Sequence, residues 1–440
     1  MSTMNFIHPP EFKDQTRHKR IERLGLPKKV ILPLSQHTGV PSQTLVKSGD
    51  TVKTGQLIAS AKGFISANLH ASVSGKIVAI EKSIHPVLGS FEAIIIESDG
   101  HDNKVFQEPK RDINTLSNEE IVDIVKEAGI VGLGGAAFPT HVKLSPPAAK
   151  KIDTLIINGA ECEPFLSCDH RVMLEKPKEL IAGIDLVAKV LGVKEVIIGI
   201  EENKLDAIEA LGSALFRVKG EGCPSTSLGT GRVKVVKLKT RYPQGGEKQL
   251  IKTLLGREVP SEGLPLDIGC VVCNVQTVFS IYEAVYFGKP LYERVVTVAG
   301  SFLTKPKNVM ARIGTPAKDL LESCGFIENG NAYKVVMGGP MTGVAQYSLD
   351  APVIKGTSGI LVLDKTLKVE EENECIRCSR CIEACPAGLM PCMIGIGVKN
   401  NRFDIAKSYE PLDCIECGSC GYVCPSNIQL VQLIKLAKLK

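Results

Sequence analysis

The sequence predicts a multidomain protein that combines α/β and α+β folds. The 440 residues exceed the length of one ordinary domain, since domains average about 100–200 residues. Strand-like and helix-like segments alternate only in the middle of the chain, and eight of the 15 cysteines form two short runs close to the C-terminus. From these observations we expect five successive parts, at residues 1–30, 31–105, 110–260, 261–355 and 360–440.

Residues 1–30 form a basic arm that contains several prolines, and such a run is typical of a solvated face or a docking segment. Residues 31–105 hold short β-type runs punctuated by glycine, as at 46–58 and 70–80. This pattern resembles the barrel of biotinyl and lipoyl carrier domains. The stretch 61–66 lacks the usual lysine-containing turn of a carrier, so the sequence favours a structural or docking barrel over a swinging arm.

Residues 110–260 alternate strands and helices, which predicts a parallel sheet with crossover helices in a Rossmann-like α/β domain. Ser117 and Glu120 form a capping box that opens a helix, and Gly129 closes that helix. We expect further elements at 155–158, 178–191, 196–200, 204–216 and 233–238.

Residues 261–355 change character and predict a small α+β module of β-grasp type. Short β-type runs at 294–298 and 333–337 flank a short helix at 316–323. Residues 360–440 predict a ferredoxin-like helical domain that closes with an amphipathic helix at 428–439.

Two cysteine runs of the form C-x2-C-x2-C-x3-C-P dominate the C-terminal part. This run holds [4Fe–4S] clusters in bacterial ferredoxins, where the fourth cysteine binds the other cluster. The first cluster is therefore expected on Cys375, Cys378, Cys381 and Cys424, and the second on Cys385, Cys414, Cys417 and Cys420. Structural zinc is the alternative, but zinc ligands usually come as two separated pairs. The other seven cysteines are interpreted as packed thiols, among them Cys270, Cys273 and Cys392.

Composition excludes several functional classes. The net charge is only +5, and aromatic residues make up 5% of the chain with no Trp, which argues against nucleic-acid binding. Apolar runs such as 196–200 and 360–363 are far shorter than the roughly 18 residues of a transmembrane helix. The polar N-terminus, with Pro9 and Pro10, does not have the form of a signal peptide. We therefore expect a cytosolic chain whose thiols stay reduced.

A glycine loop at 132–140 is the second strong motif. Gly132, Gly134 and Ala137 satisfy the dinucleotide fingerprint, but that fingerprint needs a strand before it and a helix after it. Here a predicted helix precedes the loop, and Pro139 interrupts the segment after it. The bare backbone N–H groups of such a loop still suit a phosphate or a flavin edge, with Lys143 close by. A tight structural turn is the alternative.

Polar residues come after the predicted strand at 155–158. Asn158, Glu161 and Glu163 lie at or just beyond its carboxyl end, where open α/β sheets bind ligands. A second glycine turn leads through Glu247 into a helix. From the residues alone, these segments predict a site for a phosphate-bearing cofactor.

Together these motifs resemble a known family along essentially the whole chain. The N-terminal part of this chain resembles the start of the C subunit of the Rnf complex, the ion-translocating ferredoxin:NAD+ oxidoreductase. The resemblance lies at residues 7–10, 33–39 and 70–75 of this chain. The flavoprotein subunit of respiratory complex I, which binds FMN and NADH, is matched at 132–143, 158–164, 245–247 and 273–277. Residues 290–340 are similar to the soluble-ligand-binding β-grasp module of the same flavoprotein.

By position, the resemblance implies that FMN is lined by Gly132, Gly134, Lys143, Asn158, Glu161 and Asn274. It implies that the nicotinamide nucleotide is faced by Phe138, Glu163 and Glu247. Complex I has Arg where this chain has Leu133, and Asp where this chain has Ala160. Its flavin subunit also lacks the paired ferredoxin runs, so a different electron exit is expected.

The resemblance further implies an enzyme subunit that passes electrons between NAD(H), FMN and two [4Fe–4S] clusters, in either direction. Ion translocation is then the task of partner subunits in the membrane, and ferredoxin is reached through a partner. The expected location is peripheral, on the cytoplasmic side of the cell membrane. Two alternatives stay open: a soluble flavin/iron–sulfur reductase such as a cobalamin reductase, and an electron wire or scaffold without nucleotide turnover.

Overall fold

A computed structural model describes residues 5–106, 113–220, 232–328, 333–364 and 371–440. Within these ranges the chain folds into an N-terminal barrel, a parallel α/β domain, a mixed β-rich module and a small helical domain, which confirms the predicted fold class. Cys223, one of the thiols interpreted as packed, lies outside the described residues.

The barrel is preceded by a two-residue strand of the arm, β1 (Glu22–Arg23), and consists of two small antiparallel sheets. Its strands are β2 (Lys29–Pro33), β3 (Gln43–Thr44), β4 (Thr51–Val52), β5 (Leu57–Ser60), β6 (Leu69–His70), β7 (Gly75–His85) and β8 (Gly89–Ser98). One sheet has the order β2-β8-β7-β4 and the other β3-β5-β6. Four consecutive residues of β8, at 93–96, are buried, so this part of the strand is covered on both faces.

The α/β domain contains a four-stranded parallel sheet in the order β11-β10-β9-β12. Its elements are α1 (Asn118–Glu127), α2 (Thr140–Lys143), β9 (Thr154–Gly159), α3 (Cys168–Glu175), α4 (Pro177–Leu191), β10 (Glu195–Glu201), α5 (Leu205–Gly220), β11 (Val233–Leu238), α6 (Glu247–Leu255), β12 (Cys270–Asn274) and α7 (Val275–Phe287). Helix α1 begins at Ser117 with the predicted capping box.

Both faces of this sheet are covered, which explains the continuous apolar runs of the two central strands, β9 and β10. Leu155 and Ile157 pack into the large core shared with α4 and α7, while Ile156 packs with Leu250 and Ile251 of α6. Ligand-binding residues therefore find room at the carboxyl edge of the sheet rather than on its faces.

The sheet extends past residue 260, where the sequence places the end of this domain. Strand β12 pairs in parallel with β9, from Cys270 against Thr154 to Asn274 against Asn158. Both Cys270 and Cys273 are buried in that strand, as interpreted from the sequence. The apolar run at Cys270 and Cys273 favours a strand, but only long-range pairing reveals its partner, because a five-residue run after a long loop has no local signal of the strand it joins.

The β-rich module has one six-stranded sheet in the order β1-β14-β13-β17-β15-β16. Its elements are β13 (Glu293–Gly300), β14 (Lys307–Arg312), α8 (Ala317–Ser323), β15 (Tyr333–Met337), β16 (Val344–Gln346) and β17 (Gly359–Asp364). Strand β17 lies beyond the expected boundary at 355, and β1 joins the sheet from the arm, in parallel with β14. The arm is therefore built into the molecule at this point rather than being a separate segment.

The C-terminal domain consists of five short helices, α9 (Arg380–Glu383), α10 (Pro391–Lys399), α11 (Phe403–Lys407), α12 (Ser419–Tyr422) and α13 (Leu430–Leu439). Ile394, Val398 and Ile434 pack together between α10 and α13. Helices α9 and α12 start at matching points of the two cysteine runs, each after a left-handed residue, Ser379 or Gly418. In the described part of the chain, no helix is long and apolar enough to cross a membrane.

Candidate functional site

The carboxyl edge of the parallel sheet brings two predicted ligand residues into register. Asn158 near the end of β9 lies opposite Asn274 at the end of β12. The side-chain amide of Asn158 donates to the Gly245 carbonyl at 2.9 Å. This bond connects the glycine turn that precedes α6 to the sheet edge. The side-chain oxygen Oδ1 of Asn274 accepts from the Gln276 backbone N–H and so caps α7. Both amides are fixed by the fold before any ligand binds.

The glycine loop lies against this edge. The backbone N–H of Gly132 donates to the Phe138 carbonyl at 2.9 Å and closes the loop. A Cβ atom on Gly134 would stand 2.6 Å from Nδ2 of Asn274, so only glycine permits this approach. Gly134, Gly135 and Ala136 are exposed, while the Phe138 side chain is half-buried. The loop therefore presents bare backbone beside Asn274.

Lys143 and Glu247, predicted for different roles, form an ion pair. Nζ of Lys143 donates to Oε1 of Glu247 at 2.9 Å and to the Val272 carbonyl at 3.1 Å. Burial opposes the charge on Lys143, but the charge and hydrogen bond of Glu247, together with Cys273, raise the pKa of Lys143. The lysine is thus held as a cation at the sheet edge.

The two glutamates after β9 are held by the protein itself. The Glu161 carboxylate accepts the backbone N–H groups of Asp169 at 2.7 Å and His170 at 3.1 Å, at the start of α3. The Glu163 carboxylate accepts the Met341 backbone N–H at 3.1 Å and the Thr342 hydroxyl at 2.5 Å. Burial raises the pKa of Glu163 despite these bonds.

At the two departures from complex I, the structure has buried aliphatic side chains. Leu133 is 1% exposed and Ala160 is fully buried. A buried cation binds the backbone of each: Arg294 donates to the Leu133 carbonyl at 3.1 Å, and Lys204 donates to the Ala160 carbonyl at 2.6 Å. In this chain, buried cations therefore stabilise the backbone at both positions.

The second expected ligand set surrounds one cavity in the C-terminal domain. Cys385 of the first run lies with Cys414, Cys417 and Cys420 of the second around a small cavity of about 20 Å³, and the remaining lining is Pro386, Ala387, Leu389, Pro391, Ile415 and Ile434. Burial, and then the three neighbouring thiols, raise the pKa of Cys420 to about 12. We call these four cysteines the inner set. Four thiols around an apolar cavity fit an iron–sulfur cluster, because soft thiolates are its ligands.

The other four predicted ligands, Cys375, Cys378, Cys381 and Cys424, form what we call the outer set. Cys375 and Cys424 pack against the hydrophobic cluster that contains Cys381, and Cys378 is exposed. Burial, and next the thiol of Cys392, raise the pKa of Cys381 to about 12, with Cys424 adding to the effect. Cys392 is therefore a fifth thiol beside this set. The assignment of ligands to both clusters stays a prediction.

Tyr242 connects the sheet edge to the inner set. Its ring is 2% exposed, and its hydroxyl donates to the Cys417 carbonyl at 2.7 Å. Around it, Ile7 of the arm, Cys162 after β9 and Met341 of the β-rich module pack with Cys417 in one apolar cluster. The inner set thus adjoins the loop that carries Glu161 and Glu163.

Sequence reasoning missed several residues that shape this site. Asp169 accepts the Asn274 amide at 2.6 Å and thereby orients it. Lys13, in the arm, binds the loop after β9 from the far end of the chain. Lys204 and Arg294 act on backbone carbonyls, as described above. Each contact links distant segments, so spacing and periodicity carry no signal of it.

The residues at the sheet edge fit FMN. The close approach at Gly134 leaves exposed backbone N–H groups, and Lys143 supplies a cation, which together suit a phosphate-bearing flavin nucleotide. Beside it, the inner set suits one cluster. The fold and the site therefore define a flavin- and iron–sulfur-binding electron-transfer protein.

Comparisons with known proteins give its family. Four family models match in chain order: the RnfC barrel sandwich hybrid domain at 2–101, the Nuo51 FMN-binding domain at 125–283, the SLBB domain at 295–345 and a 4Fe-4S dicluster domain at 374–428. The chain belongs to the RnfC family, the C subunits of the ion-translocating ferredoxin:NAD+ oxidoreductase complexes. The predicted family and the expected FMN and 4Fe–4S cofactors are thereby confirmed.

Three curated relatives match over 98% of this chain. The C subunit of the proton-translocating ferredoxin:NAD+ oxidoreductase complex of Clostridium ljungdahlii is 48% identical, with 92% of its own length covered. The C subunit of the Na+-translocating complex of Acetobacterium woodii is 44% identical, with 95% covered. The C subunit of the ion-translocating oxidoreductase complex of Rhodobacter capsulatus is 41% identical, with 82% covered.

Among solved structures, a NAD+-reducing [NiFe]-hydrogenase in the H2-reduced state shares the fold. The TM-score is 0.53 at 20% sequence identity, and the match covers 73% of this chain and 63% of that one. At this identity the likeness concerns the fold alone.

Proposed function

We propose that this chain is the subunit of an ion-translocating oxidoreductase complex that passes electrons between NAD(H) and two iron–sulfur clusters through FMN. The observation that carries the proposal is the junction at Tyr242, where the sheet-edge site adjoins the inner cysteine set. The proposed function also rests on full-length similarity to complex subunits whose names state this activity.

The bound groups supply the redox chemistry. FMN exchanges two electrons with a nicotinamide and one with an iron–sulfur cluster, and so connects a hydride donor to one-electron carriers. The residues of this chain bind those groups, orient them and hold them next to one another.

For FMN, we assign Gly132, Gly134, Lys143, Asn158, Glu161 and Asn274. Lys143 would pair with the phosphate as a charge-assisted donor, and the exposed loop at Gly134 would offer backbone N–H groups to the ligand. Asn158 and Asn274 offer amides whose orientation is fixed by Gly245 and Asp169. Glu161 would act indirectly, by holding the loop after β9 in place, since its carboxylate already accepts two backbone N–H groups.

For the nicotinamide nucleotide, we assign Phe138, Glu163 and Glu247. The half-buried Phe138 ring offers a stacking surface at the loop. Glu247 forms its ion pair with Lys143, which we assign to FMN. Binding of either nucleotide would therefore affect the ion pair that contacts the other nucleotide. Glu163 is held by Met341 and Thr342 of the β-rich module and therefore couples that module to nucleotide binding.

The partners and location are inferred from the proposed assembly. Other subunits translocate the ion, ferredoxin reacts through one of them, and this chain lies on the cytoplasmic side of the cell membrane. The exposed Cys378 marks the outer set as the face for electron exchange with a partner. The N-terminal barrel that matches RnfC supports this proposal over a soluble cobalamin-type reductase.

FMN binding and its reduction by NADH test the proposal. Anaerobically purified, cluster-reconstituted protein should bind FMN, and NADH should bleach the flavin absorbance. Lys143→Met should weaken FMN binding about 10- to 100-fold, because a hydrogen bond to a charged group contributes about 1.5–3 kcal/mol. Lys150→Met, a half-exposed lysine paired with Asp267, is the matched control and should bind FMN as wild type does. Bound FMN that NADH fails to bleach would overturn the proposed function.

A further inference from the structure

The N-terminal arm clamps the loop after β9 through a buried lysine. Lys13 is 3% exposed, and its Nζ donates to the backbone carbonyls of Glu161 at 2.6 Å, Glu163 at 2.9 Å and Leu166 at 2.6 Å. An ammonium group has three donors and no acceptor, so these three carbonyls satisfy it completely. We call residues 160–167 the glutamate loop.

Neighbouring arm residues reinforce this contact. The Phe165 backbone N–H donates to the Glu11 carbonyl at 2.7 Å. The rings of Phe12 and Phe165 stack with their centroids 4.9 Å apart and their planes at 18°. The arm therefore touches the loop by charge, backbone and ring at three successive residues.

The glutamate loop needs such support because its backbone is strained. Glu161 has φ 47° and Phe165 has φ 65°, both in the left-handed region that non-glycine residues rarely adopt. Such conformations persist only where the surroundings over-determine them. Lys13 binds the carbonyl of Glu161, one of the strained residues, and that of Leu166, which directly follows the other, Phe165.

The conformation of the glutamate loop also sets the positions of the Glu161 and Glu163 carboxylates. The Glu161 carboxylate is bound at the start of α3, and that of Glu163 is bound by the β-rich module, so the backbone between them must keep both in place. We propose that Lys13 is a positioning residue for the nicotinamide-nucleotide site, holding the glutamate loop in the conformation that presents Glu163. This inference rests on the proposed function.

Two readouts on the holoprotein test it, with Lys13→Met as the variant. The first is hydrogen exchange of the Phe165, Asp169 and His170 amides, whose acceptors are Glu11 and Glu161. We expect exchange there to accelerate at least about tenfold while the C-terminal domain is unaffected. The second is steady-state NADH oxidation with ferricyanide, where KM for NADH should rise about 10- to 100-fold with kcat changed far less.

The matched control is Lys19→Met, another arm lysine, which is exposed and donates to the Pro306 carbonyl at 2.8 Å outside the glutamate loop. It should leave both readouts unchanged. A second variant, Phe12→Ala, serves if Lys13→Met fails to fold. It removes only a half-exposed stacking ring, so the protein should still fold. It should produce the same changes at about 2- to 10-fold.

The outcomes separate the two proposals. Faster loop exchange with an unchanged KM in the variants would overturn the positioning role and leave Lys13 as a purely structural clamp. Unchanged exchange would overturn the clamp itself. Wild-type protein that oxidises no NADH would instead overturn the proposed function, whatever the exchange result shows about the loop.

Discussion

The cysteine domain and the glycine-loop site are built from the chain in opposite ways. All eight predicted cluster ligands lie within residues 375–424, and each run forms its own left-handed turn and short helix. The glycine-loop site instead joins the loop at 132–138, the ends of β9 and β12 and the start of α6, with the arm behind them. Local spacing specifies the first, and tertiary packing specifies the second.

This difference predicts how each region responds to substitution. Loss of a cysteine should remove one cluster and leave the fold around the flavin intact. Changes at the assembled site should act through packing, with graded effects on binding and stability. Tyr242, where the two regions meet, should have the smallest effect.

Cysteine substitutions should give the largest effects. Cys385→Ala and Cys417→Ala should each remove the same cluster, and Cys378→Ala and Cys424→Ala the other one. Each variant should retain about half of the roughly eight iron atoms per chain expected for two [4Fe–4S] clusters. Iron content and EPR of the dithionite-reduced protein measure this. If Cys385→Ala and Cys424→Ala lost the same cluster, the crossed assignment would be wrong.

Lys355 should make the stability of the assembled region increase as the pH rises above about 7. It is 1% exposed, and Nζ donates to the Asn68 carbonyl of the barrel at 2.6 Å and the Gly129 carbonyl at 2.7 Å. Burial lowers its pKa from 10.5 to about 7. A neutral amine has two donors, which these two carbonyls satisfy.

The sign of the effect is set by proton counts. Between pH 7 and 10.5 the unfolded chain holds a proton on Lys355 that the folded chain has released, so its contribution to stability rises with pH, by about 1.4 kcal/mol per unit. The free energy of unfolding of wild type and of Lys355→Met should be measured by denaturation at several pH values. The wild-type value minus the variant value should increase with pH over this window. Lys62→Met, at an exposed barrel position, should show a constant difference. A constant difference for Lys355→Met as well would contradict the neutral buried amine.

Two adjacent glycines test the packing of the glycine loop. A Cβ on Gly134 would meet Asn274 at 2.6 Å, whereas one on Gly135 would meet nothing within 4 Å. Gly134→Ala should therefore cost about 1–3 kcal/mol of unfolding free energy and weaken FMN binding, as overpacking does. Gly135→Ala is the matched control and should be close to neutral in both. Equal effects in thermal denaturation and FMN titration would show that Asn274 does not constrain the loop.

Tyr242→Phe should have the smallest effect, at the junction of the two regions. The substitution keeps the buried ring and removes one hydrogen bond to the Cys417 carbonyl, which is worth about 1 kcal/mol. Protection of backbone amides around Cys417 should fall accordingly in hydrogen exchange. Tyr422→Phe, at a 53% exposed ring, is the control and should change nothing. Unchanged protection in Tyr242→Phe would show that other contacts hold the domains together.

The same contrast explains how much the sequence predicts. The cysteine runs, the capping box at Ser117 and strand β11 at Val233–Leu238 could be predicted because each is encoded locally. The pairing of β12 with β9, the contacts of Lys13 and the cations that bind the backbone of Leu133 and Ala160 could not be predicted. They depend on contacts across about 44 to 161 residues of chain, where only three-dimensional packing decides the partner.

The most direct test of the proposed electron path is reduction by NADH in the cysteine variants, monitored by EPR under anaerobic conditions. With FMN bound, NADH should reduce the inner cluster in Cys378→Ala, and it should reduce neither cluster in Cys417→Ala, although dithionite reduces the outer cluster that remains there. This result would place the inner set between the flavin and the outer set. Reduction of the outer cluster by NADH in Cys417→Ala would contradict that path, because electrons would then bypass the junction at Tyr242.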